Sequence, residues 1–285
     1  MIRKILVPVR GDGKGDNVLA HAAAVAHYHN AHIQIVHCRP RPEDLMPYGV
    51  PIPEFLRKQL VKQSYELADH EESALRAELE VLSEKLNLDA TGKNIGKVAS
   101  VDFVEESGRQ VDVIKRYGRL ADMIAVAKPE RDRNLGHNTL KAALFHSGRP
   151  VLMCPDTDTP PTRMGVKVAL AWNGSAEAAR ALSQCKSILR AAEDIWILSN
   201  GADSGRGTSA DDLMAYLALH EINATLHMIP SSRKVGAELL RASTELGADM
   251  MVMGAYGDSH ERETVFGGNT QTVVDTAKIP VLLNH

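Results

Sequence analysis

The sequence predicts an α/β protein of two doubly wound domains in tandem, each a five-stranded, mostly parallel sheet. Three observations predict it: an internal repeat, short apolar runs alternating with longer amphipathic ones, and a polar, proline-rich break between the copies. Lys4-Ile-Leu-Val-Pro-Val-Arg10-Gly11 lines up with Lys167-Val-Ala-Leu-Ala-Trp-Asn173-Gly174. Ala121-Asp-Met-Ile-Ala-Val lines up with Ala248-Asp-Met-Met-Val-Met, and Arg149-Pro-Val-Leu-Met-Cys-Pro155 with Ile279-Pro-Val-Leu-Leu-Asn-His285. Matches in the same order at similar spacing mark a duplication. The break, Asp156–Arg163, has linker composition. The domains are therefore expected at residues 1–156 and 164–285.

The second copy gives the clearest element order. Val166–Trp172 reads as a strand, followed by a helix over Ala176–Ala192 with Ala178, Leu182, Cys185 and Leu189 at helical spacing. A strand over Ile195–Leu198 precedes a helix over Asp211–His220; a strand over Ala224–Ile229 precedes a helix over Val235–Leu246. Met250–Met253 is the fourth strand, Asn269–Thr276 a helix, and Val281–Leu283 the closing strand. Strands apolar on both sides belong in a parallel sheet covered on both faces. Right-handed crossovers then wind helices onto each face. The first copy adds a proline-dense loop, Arg39–Pro53, after its strand Ile33–Cys38; such a loop can continue neither a helix nor an inner strand. A long charged helix, about Glu54–Leu86, follows. Val151–Cys154 closes this copy.

Composition bounds the function. The chain has 285 residues, 44% hydrophobic and 24% charged, which suits a globular protein rather than a disordered one. With 33 Lys+Arg against 36 Asp+Glu, no surplus of cations exists to neutralise nucleic-acid phosphates or an anionic membrane. No apolar run approaches the roughly 18 residues of a membrane span. Three cysteines without a CxxC pair fit a reducing compartment, so a cytoplasmic location is expected.

The segment most able to carry chemistry is Val252–Thr270. It leaves the C-terminal end of a parallel strand, where ligands bind in open α/β sheets, and runs into a helix. Gly254 and Gly257 let backbone approach a ligand closely. Gly267 and Gly268 open a helix whose free N–H groups favour an anion such as phosphate, and Asn269 and Thr270 offer side-chain donors.

The spacing Gly254-x2-Gly257-x9-Gly267 resembles the nucleotide loop of the universal stress protein family, Gly-x2-Gly-x9-Gly-Ser/Thr. The resemblance extends to Asn173-Gly174-Ser175, where that family usually has Asp-Gly-Ser, and to the Pro-Val-Leu closing strand. It covers the whole chain as two Rossmann-like copies. It implies that ATP, AMP or ADP binds in the second domain as a regulatory ligand of a stress-response protein, with Mg²⁺ on the phosphates. Gly254, Gly257, Gly267, Gly268, Asn269 and Thr270 would hold phosphates and ribose, and Asn173 would face the adenine. It also implies that the two copies form a pseudo-dimer within the chain, with the closing strands at their interface, and leaves room for a further homodimer. Two departures stand out: Gly268 replaces the Ser/Thr hydroxyl, and Asn173 replaces the acid while adding an amide donor.

The first copy is expected to bind no adenine nucleotide. Arg10 stands where the adenine-facing acid belongs, and the paired glycines are missing after Val126. Asp122 to Pro150 spans 28 positions against 31 from Asp249 to Pro280, so the loop region is three residues shorter. Lys128, Arg131 and Arg133 read as a solvated charge cluster. His27, His29 and His32 lack the further ligands a metal site needs. Cys38 and Cys185 read as core thiols. No catalytic residue is assigned; Asp258, His260 and Glu261 are the loose candidates for slow ATP hydrolysis. The remaining alternative is a nucleotide-free interaction module in which both sites have decayed.

Overall fold

The computed structural model describes the chain except residues 10–13, 40, 42–52, 131–135, 202–207 and 258–267; the side chains of residues 57 and 63–72 are also left undescribed. The first copy runs β1 (Lys4–Val9), α1 (Gly15–His29), β2 (His32–Arg39), α2 (Glu54–Lys85), β3 (Ser100–Ser107), α3 (Gln110–Gly118), β4 (Met123–Ala127), α4 (His137–His146) and β5 (Val151–Cys154). The second runs β6 (Lys167–Ala171), α5 (Ala176–Leu189), β7 (Asp194–Ser199), α6 (Ala210–Leu219), β8 (Thr225–Met228), α7 (Val235–Glu245), β9 (Met250–Gly254), α8 (Gly268–Thr276) and β10 (Val281–Asn284). Element order follows the sequence expectation, with ends moved by one to three residues. The largest shift is at α5, which stops at Leu189 rather than Ala192. There the N–H groups of Ala191 and Ala192 both turn back to the Ile188 carbonyl, tightening the last turn and ending the helix.

All ten strands form one sheet in the order β3-β2-β1-β4-β5-β10-β9-β6-β7-β8. Every neighbouring pair is parallel except β5 and β10, which run antiparallel with Val281 opposite Met153, Leu282 opposite Leu152 and Leu283 opposite Val151. The closing strands thus meet, as the resemblance implied. Each strand covers the other's open edge, and a lone apolar edge would invite aggregation.

The alternation of strand side chains builds two cores. Ile5 and Val7 point to one face, where α1, α2, α5 and α6 pack; Leu6 points to the other, with α3, α4, α7 and α8. Both cores draw on both copies, so the halves share their buried surface.

The repeated Ala-Asp-Met serves this architecture. Asp122 accepts the backbone N–H of Arg3 and Lys4 at 2.7 and 3.0 Å. Asp249 accepts those of Gly165, Val166 and Lys167 at 2.8–3.0 Å. Each aspartate pins the start of the first strand of its copy to the start of the fourth, satisfying donors that the ladder leaves over.

Candidate functional site

In the second copy, the C-terminal ends of β6, β7 and β9 and the N-terminal ends of α5 and α8 enclose a cleft of about 340 Å³. Trp172, Leu198, Ile229 and Leu239 form apolar wall. Asn173, Gly254, Gly257, Gly268, Asn269 and Thr270 all line it. Gly267, Asp258, His260 and Glu261 lie outside the described residues.

Several site residues already have structural duties. Ser175 caps α5, its hydroxyl accepting the Ala178 N–H at 3.2 Å. The Asn173 side-chain oxygen accepts the Ser175 N–H at 3.2 Å, which leaves its amide NH₂ as the group free to meet a ligand. Thr270 Oγ1 accepts the Tyr256 N–H at 3.3 Å and Asn269 Oδ1 the Gly236 N–H at 3.3 Å, so both tie the loop and α8 to their surroundings. Tyr256 sits between the two glycines with φ 57°, a left-handed conformation that costs a residue of its size about 1 kcal/mol or more. Its ring packs against Phe145 of α4, centroids 5.4 Å apart, so the first copy braces the loop of the second. Burial, and next the Asp275 charge, push its phenol above the usual tyrosine range.

The two glycines are dictated by α5. A Cβ on Gly254 would lie 2.6 Å from both the Ala178 nitrogen and the Glu177 carbonyl carbon. A Cβ on Gly257 would lie 2.8 Å from Glu177 Oε2. The loop therefore passes directly over the first turn of α5, and the Glu177 carboxylate faces it. Sequence reasoning missed Glu177. Its position in the first turn of a helix after a strand-end Asn-Gly-Ser was visible, but its approach to Gly257 was not.

The first copy fills the same place differently. Sheet registers are equivalent: Ile5 pairs with Met123 and Leu6 with Ile124, as Val168 pairs with Met250 and Ala169 with Met251. Counting on from these residues puts Lys14 at the Glu177 position and Glu130 at the Gly257 position. Lys14 and Glu130 form an ion pair, and Lys14 reaches Asp156 at 3.0 Å as well. Burial lowers the Lys14 pKa, but the two carboxylates outweigh it and hold the ammonium above its usual range. A self-neutralised pair thus stands where the second copy keeps a glycine and an open cleft.

The remaining candidates disperse. His27 contacts the Leu86 carbonyl at 2.8 Å, His29 stacks edge-on against Tyr28, and His32 contacts Ser100 Oγ at 3.0 Å. No group of three or more metal-ligating side chains occurs among the described residues. Cys185 is buried, its thiol pushed up to about 12 by desolvation, and burial raises Cys154 further; neither is poised to react. Cys38 is half-buried and meets the Gly108 carbonyl at 3.1 Å. Lys128 is not part of a solvated cluster: its ammonium donates to the Ala277 carbonyl at 3.2 Å, across the junction of the copies. Arg10, Arg131 and Arg133 lie outside the described residues. No described helix is long and apolar enough to cross a membrane.

Two doubly wound copies joined in one sheet, with a glycine-lined cleft at the strand ends of the second, define a tandem α/β architecture. The model of the universal stress protein family matches residues 1–155 and again 166–285, and the chain belongs to that family. Among solved structures, it is similar to a universal stress protein from Archaeoglobus fulgidus DSM 4304, with 15% identity, TM-score 0.69, and 99% of this chain and 97% of that one covered. It is also similar to a protein of unknown function from Pseudomonas aeruginosa PAO1, with 17% identity, TM-score 0.57, and coverage of 99% and 92%. At these identities the likeness is one of fold. No curated protein matches the chain.

Proposed function

We propose that the protein binds an adenine nucleotide, ATP foremost, in the cleft of its second copy and uses it as a regulatory ligand in a cytoplasmic stress response. The observation that carries this reading is the passage of Gly254 and Gly257 over the α5 N-terminus. There the N-terminal ends of α5 and α8 line a cleft of ligand size, with the dipole of each helix directed at it. The apolar wall suits a base, and the Asn173 amide supplies a donor for its edge.

Glu177 adds a condition. Its carboxylate, only partly offset by Arg180 at 3.5 Å, disfavours a bare phosphate chain beside the loop. Mg²⁺ therefore fits as a passenger on the phosphates, with Glu177 as its protein-side oxygen; bound there, it would neutralise charge between phosphate and carboxylate. No general base with a positioned water is assigned, so the nucleotide acts by its differential affinity for the ordered loop. Any hydrolysis is expected to be slow.

Calorimetric titration of nucleotide-stripped protein with Mg-ATP tests the reading. One site per chain, lost in Gly257→Val, is the expected result. A second site that survives Gly257→Val would lie outside this cleft; no site would overturn the nucleotide reading. A second reading, a nucleotide-free interaction module, is favoured by one feature: Gly268 brings no hydroxyl, and the oxygens of Asn173, Asn269 and Thr270 are already engaged internally.

A further inference from the structure

Away from the nucleotide cleft, a larger groove of about 870 Å³ opens between the two copies. It lies where the C-terminal ends of α1 and α5 meet, pinned by the Tyr28 hydroxyl donating to the Ala191 carbonyl at 2.7 Å. Four cationic side chains line it: Arg3 and Arg149 from the first copy, Lys186 and Arg190 from the second. We propose that this groove is a second ligand site, which binds a small polyphosphate anion, free or carried on an organic group.

The charge balance of the groove carries the proposal. None of the four cations has a carboxylate partner among the described residues. Three are steered by neutral acceptors instead: Arg3 by the Gly96 carbonyl at 3.0 Å, Arg149 by the Arg119 carbonyl at 2.8 Å, and Lys186 by the Tyr216 hydroxyl at 3.3 Å. Such contacts orient a cation without cancelling its charge. The lining also holds one carboxylate, Asp122, which keeps its charge while accepting the backbone N–H groups of Arg3 and Lys4, so the cations outnumber it four to one.

The two helix C-termini attract cations through their dipoles, worth about half a charge each, which four full charges exceed. The Ala26 carbonyl at the end of α1 takes the N–H groups of Asn30 and Ala31. At the end of α5, the Lys186 and Ile188 carbonyls take those of Arg190, Ala191 and Ala192. Four cations against one carboxylate, in a chain whose net charge is −3, are therefore a local excess, and a cleft focuses their field.

The chemistry of the donors selects the ligand. Guanidinium forks match phosphate oxygens in pairs, and an ammonium complements them as a point charge. Because the cations approach from two copies, linked phosphates meet both walls where a single small anion meets one.

Titration of the full chain with tripolyphosphate, at low ionic strength and without magnesium, tests the proposal independently of the nucleotide cleft. The expected result is one site per chain whose affinity falls at least tenfold in Lys186→Ala/Arg190→Ala and falls again with added salt. Arg190 is exposed and Lys186 half-exposed, so the variant is expected to fold, with far-ultraviolet circular dichroism as the check. Lys186→Arg, which keeps the charge, should retain binding. GTP titrated in parallel separates the sources: tighter binding than tripolyphosphate, with the same loss in the double variant, assigns an organic carrier, and equal or weaker binding assigns the free anion. Absence of tripolyphosphate binding, or affinity unchanged in the double variant, would overturn the proposal.

Discussion

Gly254 is the residue on which the cleft most directly depends, because backbone rather than a movable side chain fills the space its Cβ would need. Gly254→Ala must push the first turn of α5 away from β9. Overpacking of this kind costs about 1–3 kcal/mol, which differential scanning calorimetry would record as a lower Tm, with Mg-ATP binding lost alongside. His21 makes a different prediction. It is buried in α1, with burial depressing its pKa against the opposing hydrogen bond to the Asn17 carbonyl at 2.7 Å. Half-buried His29 shifts the same way, from burial first. As pH falls below the ordinary imidazole value of about 6.5, the unfolded chain takes up protons before the folded one does. Stability should therefore be level above neutrality and decline through the mildly acidic range. His21→Gln should flatten that decline in a series of Tm measurements against pH; an unchanged slope would show that His21 is not its source.

At the scale of elements, the two copies are one plan with a charge exchanged. Lys14 pairs with Glu130 in the first copy, and Glu177 faces Gly257 beside the cleft of the second. Transplanting the pair is a direct check: Glu177→Lys with Gly257→Glu should abolish nucleotide binding while preserving the fold, measured by calorimetry and circular dichroism together. The elements themselves were legible from residues. Apolar runs such as Val168–Leu170 and Met250–Met253 announce buried parallel strands. The glycine spacing also located the cleft, because close approach has a compositional signature. Glu177 was not legible, since a solvated first-turn acid and one facing a loop look alike until α5 and β9 are packed. The duty of Asp122 and Asp249 was hidden for the same reason: the repeat marked them, but only the fold brings them to the start of the neighbouring strand.

The whole molecule is a single sheet with two shared cores rather than two domains on a tether. Leu152 and Leu282 pair across the antiparallel junction, and both are fully buried in one core. Leu282→Asp would bury a charge at that seam, among the severest single changes available, with an expected cost above about 4 kcal/mol. Because both cores cross the seam, calorimetry should show the wild type unfolding in one transition and this variant destabilising both halves. Two separated transitions, only one of them shifted, would refute the shared core. The large groove between the copies also belongs to this scale, since neither half encloses it alone.

The sequence by itself determined the duplication, the strand and helix order, the copy able to hold a cleft and the glycines that form it. Each of these rests on local pattern: periodicity, turn chemistry and spacing along one chain. Only the tertiary structure decided that β5 and β10 pair antiparallel within one sheet, that Lys14 and Glu130 pair in the first copy, that Glu177 faces the loop, and that Arg3, Arg149, Lys186 and Arg190 share a groove. Those facts depend on which distant residues come within a few ångströms of one another, and charge or burial acts through that proximity rather than through distance along the chain.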